Sequence, residues 1–134
     1  MILVSQALNE HRLLAIMKFL DLGNLPARVE VYAGPRATLV TDPVPPTAIK
    51  LITLILKKPC GYVSEGALTL EQELSNMAMA TGEPAWARFI NGAGATAFDC
   101  DAGGPAVLGN WELKMSQDVL YAGGYASMAD ARIR

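Results

Sequence analysis

Hydrophobic positions recur with a helical period in one stretch of this chain and with a period of two in several others. Residues 5–22 carry the helical pattern. Leu13, Ile16, Met17 and Leu20 fall at i, i+3, i+4 and i+7, and Leu14 and Phe19 widen the stripe. Ser5 is placed to cap the start, Gly23 to end the helix and Pro26 to stop its resumption. One amphipathic helix cannot bury its stripe alone, so it docks on its own sheet or on another subunit.

The strand patterns follow. Residues 28–32 (RVEVY) alternate, with Val29 and Val31 inward and Arg28, Glu30 and Tyr32 outward. Residues 48–56 (AIKLITLIL) are apolar on both faces, which predicts a central or covered strand, closed by Lys57, Lys58 and Pro59. A turn at Glu65-Gly66 leads into a short strand over 67–70 with Leu68 and Leu70 inward, and 71–80 reads as strand or irregular edge. Residues 86–101 (WARFINGAGATAFDCD) form a hairpin, with one face apolar and covered and the other free to be wet. Asn91-Gly92 favours a type I′ turn, and Gly94 allows a three- or four-residue loop instead. A loop over 101–104 follows. Residues 110–115 place Trp111, Leu113 and Met115 on one face. Val119 to Tyr121 is a very short strand or connection, and Gly123-Gly124 is a turn. Residues 125–134 are the last strand, with Ala129, Ala131 and Ile133 on one face. The segment 42–46 (DPVPP) is an extended connection or arm, because its prolines lack the N–H a central strand needs.

About seven or eight strand signals, separated by glycine and proline, indicate an antiparallel sandwich or barrel. The expectation is an all-β fold: an antiparallel β-sandwich, with the jelly roll as one variant, over residues 26–134, and a helix or arm over 1–25. At 134 residues the chain is long enough for one self-supporting core.

Composition changes this picture in one respect. Only 18% of residues are charged, against about 25% in an average soluble domain, so part of the surface is expected to be covered by a partner. A net charge of −2 with scattered lysines and arginines gives neither a nucleic-acid field nor a membrane-binding basic patch. No positive region precedes the apolar residues 1–4, which argues against a signal peptide, and no run is long enough for a membrane span.

Candidate chemistry is sparse. Cys60 and Cys100 form no C-x-x-C pair and read as two buried thiols. His11, the one histidine, lies in the helix beside Arg12 without an acid or cysteine at ligand spacing, so neither a triad nor a zinc site is indicated. Asp99 and Asp101 share a strand face roughly 6.5–7 Å apart. That spacing could serve glycoside hydrolysis or sit near a calcium ion, which needs more ligands than these, but a solvated strand face explains it with no further assumption. Trp86, Trp111, Tyr121 and Tyr125 could stack on a sugar, but such residues more often fill cores and interfaces. The glycine pairs are turns, because none follows a strand and opens a helix. The chain therefore reads as a non-enzyme without cofactor or metal.

The layout resembles a known group. A short N-terminal helix runs into RVEVYAGPR. A GxLTL strand appears as Gly66 to Leu70, and G-x-x-x-WARF as Gly82 to Phe89, followed by an Asn-Gly turn and a second hairpin strand. Together these resemble small virion proteins of tailed bacteriophages and prophages, over a span from about Ala7 to Arg134. The 42–46 segment and the positions of Cys60 and Cys100 depart from that pattern. The resemblance implies a cement or decoration protein that binds the major capsid protein. Such a protein is made in the host cytoplasm, placed on the capsid surface and self-associated as a dimer or trimer. Tail, neck or baseplate proteins are the alternative, and a carbohydrate-binding module using Asp99, Asp101 and the tryptophans is a further one. The expected contact residues are Leu13, Ile16, Met17 and Leu20 of the helix, Ile52, Leu54 and Leu56 of the apolar strand, and Tyr121 and Tyr125 near the end of the chain.

Overall fold

The computed structural model describes residues 2–105 and 113–134. Among these lie one helix, α1 (Gln6–Leu20), and the strands β1 (Arg28–Ala33), β2 (Ile49–Ser64), β3 (Ala67–Gln72), β4 (Asn76–Met77), β5 (Trp86–Ile90), β6 (Thr96–Gly103), β7 (Leu113–Met115), β8 (Tyr125–Ala126) and β9 (Met128–Ile133). The class is all-β with one helix, as the patterning predicts. The two-sheet sandwich is not what the hydrogen bonds describe. Seven strands close into a barrel in the order β1-β2-β3-β9-β7-β6-β5, and β5 pairs back onto β1. Closure removes the free edges that a sandwich would leave. The β6–β7 pair is parallel, so the sheet is not wholly antiparallel. The strands β4 and β8 form a small sheet of their own.

Helix α1 starts where its cap predicts: the Ser5 hydroxyl accepts a hydrogen bond from the Leu8 N–H. Leu13 and Leu20 are fully buried in the same core as the strands, and Ile16 and Met17 pack against its margin. The helix is thus part of the barrel's own core. Its C-terminal end is fastened to β2. The Asp21 carboxylate accepts from the Cys60 N–H at 3.0 Å, and the Lys58 ammonium donates to the carbonyls of Gly23 and Leu25.

The strand β2 corrects one expectation. Pro59 does not end it. Pairing with β3 jumps from Leu56↔Gln72 to Gly61↔Leu70, so residues 57–60 bulge and the strand continues to Ser64. The proline sits inside the bulge, where no ladder bond requires its missing N–H. The turn at Glu65-Gly66 forms as expected, with φ of 51° and 76°.

The hairpin β5–β6 takes the three-residue loop Gly92–Gly94 rather than a type I′ turn at Asn91-Gly92. The Asn91 N–H donates to the Ala95 carbonyl at 2.9 Å, and the Asn91 side-chain oxygen accepts from the N–H groups of Ala93 and Ala95. The positive φ falls on Gly94, at 90°. Gly92 serves a different need. The loop after α1 lies directly on it, and a Cβ there would sit 1.8 Å from the Leu25 carbonyl oxygen.

Three further expectations shift. The strand β6 runs to Gly103, through residues expected to begin a loop. The last strand splits at Ser127, so β8 joins β4 while β9 enters the barrel between β3 and β7. In β9 Ala131 is buried as expected, but Ala129 is exposed. Of residues 110–115, Trp111 and its two neighbours 110 and 112 lie outside the described residues, while Leu113 and Met115 are buried.

Gly92→Ala should destabilise the fold by about 1–3 kcal/mol or more, because backbone rather than a side chain occupies the space. Gly94→Ala meets nothing within 4 Å and should show only the smaller cost of its positive φ. Urea denaturation of the two variants checks the order.

Candidate interaction surface

The wall formed by β1 and β5 is covered on both faces, and β6 beside it is covered in part. Its inner face holds Val29, Val31, Ala87 and Phe89, as the alternation predicts. The alternation leaves its outer face wet, yet Glu30, Tyr32, Trp86 and Arg88 are all buried. The connection between β1 and β2, residues 34–48, runs as a strap onto this face: Asp42, in the proline-rich 42–46 segment, meets Arg88, and Arg36 meets Asp99 and Asp101.

Arg88 organises the covered face. Antiparallel register places it opposite Asp99 on β6 and Glu30 on β1. Its Nε and Nη2 donate to the two Asp99 carboxylate oxygens at 2.8 and 2.9 Å, and its Nη1 donates to the Asp42 carbonyl of the strap at 2.9 Å. The Arg88 and Asp99 side chains are only 7% and 5% exposed. The hydrogen bonds to Asp99, above all, raise the Arg88 pKa against the opposing effect of burial and keep the guanidinium charged. The guanidinium also lies 5.6 Å from the Trp86 ring centroid, and Trp86 stacks on Tyr32 at 4.6 Å.

Glu30 completes the cluster. It accepts from the Tyr32 hydroxyl at 2.8 Å and pairs with Lys50 at 2.9 Å and Arg28 at 3.6 Å. Burial alone would raise its pKa. The bonds from Lys50 and Tyr32 and the two nearby cations outweigh burial and leave the pKa below its ordinary value. Burial first, then the Glu30 carboxylate, push the Tyr32 hydroxyl well above its ordinary range. At the rim, Arg36 ties the strap to the wall by an exposed ion pair with Asp101 at 2.8 Å and a bond to the Asp99 carbonyl at 3.2 Å.

These contacts correct the picture of Asp99 and Asp101 as a solvated strand face. Asp99 is locked and buried, and only Asp101 is exposed. A hydrolytic pair needs both carboxylates to reach a substrate, and Asp99 does not. Trp86 is likewise buried and is no sugar platform. Tyr121 and Tyr125 remain exposed. His11 is exposed on α1. Cys60 and Cys100 stay as buried thiols rather than a disulfide. Burial, reinforced by the Asp21 carboxylate, pushes the Cys60 pKa up to about 12, so its reactive thiolate is scarce near neutral pH. No group of three or more His, Cys, Asp or Glu able to hold a metal occurs among the described residues. Among them, too, no helix is long and apolar enough to cross a membrane.

The expected contact residues divide. Leu13, Leu20, Ile52, Leu54 and Leu56 are fully buried in the chain's own core and offer no surface to a partner. They are core residues because closing the barrel turns the inner face of β2 onto α1 and the opposite strands. Ile16 and Met17 are half-buried, and Tyr121 and Tyr125 are available. Further exposed apolar surface lies at Ile2, Leu3 and Val4 ahead of α1, Leu8 and Phe19 on its outer side, Leu39 and Val40 on the strap, and at Leu25, Ile49, Leu74, Met77 and Met79. A groove of about 390 Å³ runs between Ala15, Ile16 and Phe19 of α1 and Ala97 and Phe98 of β6. A second, of about 290 Å³, continues from Ala97 and Phe98 towards Val40. A third, of about 380 Å³, opens where β3 and β9 part after only two paired positions, and the Gln72 side chain bridges it by accepting from the Met128 N–H.

Sequence reasoning missed the Arg88–Asp99 pair and the apolar groove. The first had a signal: opposite charges facing each other across a hairpin whose loop is three residues long. The second had none, since Phe19 and Phe98 meet only through the docking of α1.

Comparison with family models, with curated proteins and with solved structures finds no match for this chain.

Asp99→Asn should cost about 3–5 kcal/mol, because it leaves the Arg88 charge buried and uncompensated. Asp101→Asn, at an exposed pair, should cost less than about 1 kcal/mol. Equilibrium unfolding of the two variants checks the contrast.

Proposed function

We propose that this chain is a non-enzymatic structural protein of a tailed-phage virion, a cement or decoration protein that binds the major capsid protein and stabilises the shell. The observation that supports this reading best is the division of the molecule into a packed body and apolar extensions. The β1–β5 wall is covered on both faces, while large hydrophobics stand exposed on the segment ahead of α1, on the outer side of α1 and on the strap, as they do on β2 at Ile49 and Tyr62 and around β4 and β8. Cementing a shell needs that combination. A rigid body fixes position, and extensions supply apolar area to neighbours. It needs no catalysis, and Asp99 and Trp86, which a hydrolytic or sugar-binding site would need at the surface, are buried. The resemblance of RVEVYAGPR, the GxLTL strand and the WARF hairpin to small phage virion proteins gives the partner class. The barrel fills the role that the sandwich held in that expectation.

Co-sedimentation of the purified protein with expanded heads of its phage, prepared without it, tests the reading. Saturation at a copy number comparable to the major shell protein is the expected result. Binding at only a few copies per particle would move the protein to the neck or tail, and an absence of binding would overturn the virion reading.

A further inference from the structure

The apolar segment ahead of α1 has no seat on its own chain. Ile2 and Leu3 are 88% and 86% exposed, and Val4 is 54% exposed. The segment leads into the Ser5 cap, whose backbone is extended at φ −67° and ψ 155°. An extended run of Ile, Leu and Val favours a pleated, half-covered environment, and water gives it none.

A seat of matching character exists beside α1. The groove between Ala15, Ile16 and Phe19 of the helix and Ala97 and Phe98 of β6 is lined almost wholly by apolar groups. Arg12 lines its end, where hydrogen bonds of 3.1 and 2.7 Å to the Asn9 side-chain oxygen hold its guanidinium. We propose that this groove receives residues 2–4 of a second copy of the chain, and that two copies exchange these arms reciprocally. This goes beyond the proposed function: it names an arm and a seat for the self-association that the resemblance implies, and does not require the capsid.

Three observations carry the assignment. The first is length. From Arg12 to Phe19 the helix advances about 10 Å at 1.5 Å per residue, and three extended residues span about 10 Å. The second is connectivity. Gln6 lies about 9 Å along the axis from Arg12, and for the arm to double back into its own groove it would have to reverse at Ser5, whose side chain is engaged in capping the helix. A second copy meets no such obstacle. The third is area. Each Val, Leu or Ile side chain hides on the order of 100 Å² of apolar surface when buried. Two arms, the walls that receive them and the flanking Leu8 and Phe19 together remove on the order of 1,000 Å² from water, which is the level a specific interface needs. Reciprocal exchange is self-complementary, as a two-fold dimer requires.

Light scattering on the full chain and on a chain lacking residues 1–4 tests the proposal. The full chain should have twice the monomer mass. The shortened chain, and Leu3→Asp in the full chain, should have the monomer mass and still unfold in one cooperative transition, since the barrel core is untouched, with only the concentration dependence of the midpoint lost. A second experiment locates the seat. Leu3→Cys and Ala97→Cys are placed in separate chains, the chains are mixed and oxidised, and the linked peptides are identified by mass spectrometry. A disulfide joining position 3 of one chain to position 97 of the other is expected. A control carries both substitutions in one chain. A full chain that is monomeric, a dimer that survives loss of the arm, or a link that forms only in the control, within one chain, would each overturn the proposal. A monomer that still saturates phage heads removes arm exchange and leaves the capsid reading standing. An arm-dependent dimer that binds no heads does the reverse.

Discussion

The buried ion pair between Arg88 and Asp99 sets the terms for one side of the barrel. Arginine in the middle of β5 points away from the core, where an open barrel wall would leave it in water. The strap takes that water away. A guanidinium under cover must be matched, and Asp99 directly across the hairpin matches it with two parallel bonds. Its remaining bond reaches the strap itself, at the Asp42 carbonyl. The same residue thus fixes the register of β5 against β6 and holds the cover in place. Such a pair adds little net stability over an apolar substitute, because desolvation opposes the attraction. Its contribution here is to specificity, since a one-residue slip of the hairpin would bury Arg88 without a partner.

Much of the fold is legible in the sequence because local patterning agrees with the tertiary structure. The cap at Ser5, the buried stripe of α1, the β1 alternation at Val29 and Val31 and the turn at Glu65-Gly66 all follow from short-range chemistry. The misreadings share one cause: they are settled by segments that meet from far apart in the chain. Gly92 reads as half of a type I′ turn, but the loop after α1 presses on it and requires a residue without Cβ. Pro59 reads as a strand end, but a bulge accommodates it. Glu30 and Tyr32 read as outward-facing and Asp99 as solvated, but that face is buried, and a strap whose path no periodicity encodes meets it at Arg88. Sandwich against barrel turns on whether β5 pairs with β1, and nothing in either strand alone decides that.

The same distinction separates body from surface. Residues expected to contact a partner, Ile52, Leu54 and Leu56 among them, owe that expectation to hydrophobicity, and hydrophobicity in a closed barrel marks the inside. Part of the surface left for association is carried by parts that the barrel does not need for closure, the segment ahead of α1, the outer side of the helix and the strap, and the rest by side chains such as Ile49 and Tyr62 on the outside of β2. Two of these extensions are tied to the body at defined points, α1 through Asp21 and Lys58 to the β2 bulge and the strap through Arg36 and Arg88. Apolar side chains are therefore presented from a fixed frame, and less ordering remains to oppose binding.

The covered wall is the feature on which this account rests, and the environment of Trp86 reports it most directly. The chain has two tryptophans, so Trp111→Phe leaves Trp86 as the sole indole. The account predicts blue-shifted emission in the native protein and weak acrylamide quenching that rises to the free-indole level only on unfolding. Red-shifted emission, quenched in the native state nearly as readily as in denaturant, would mean that the strap does not cover the wall and would contradict the account.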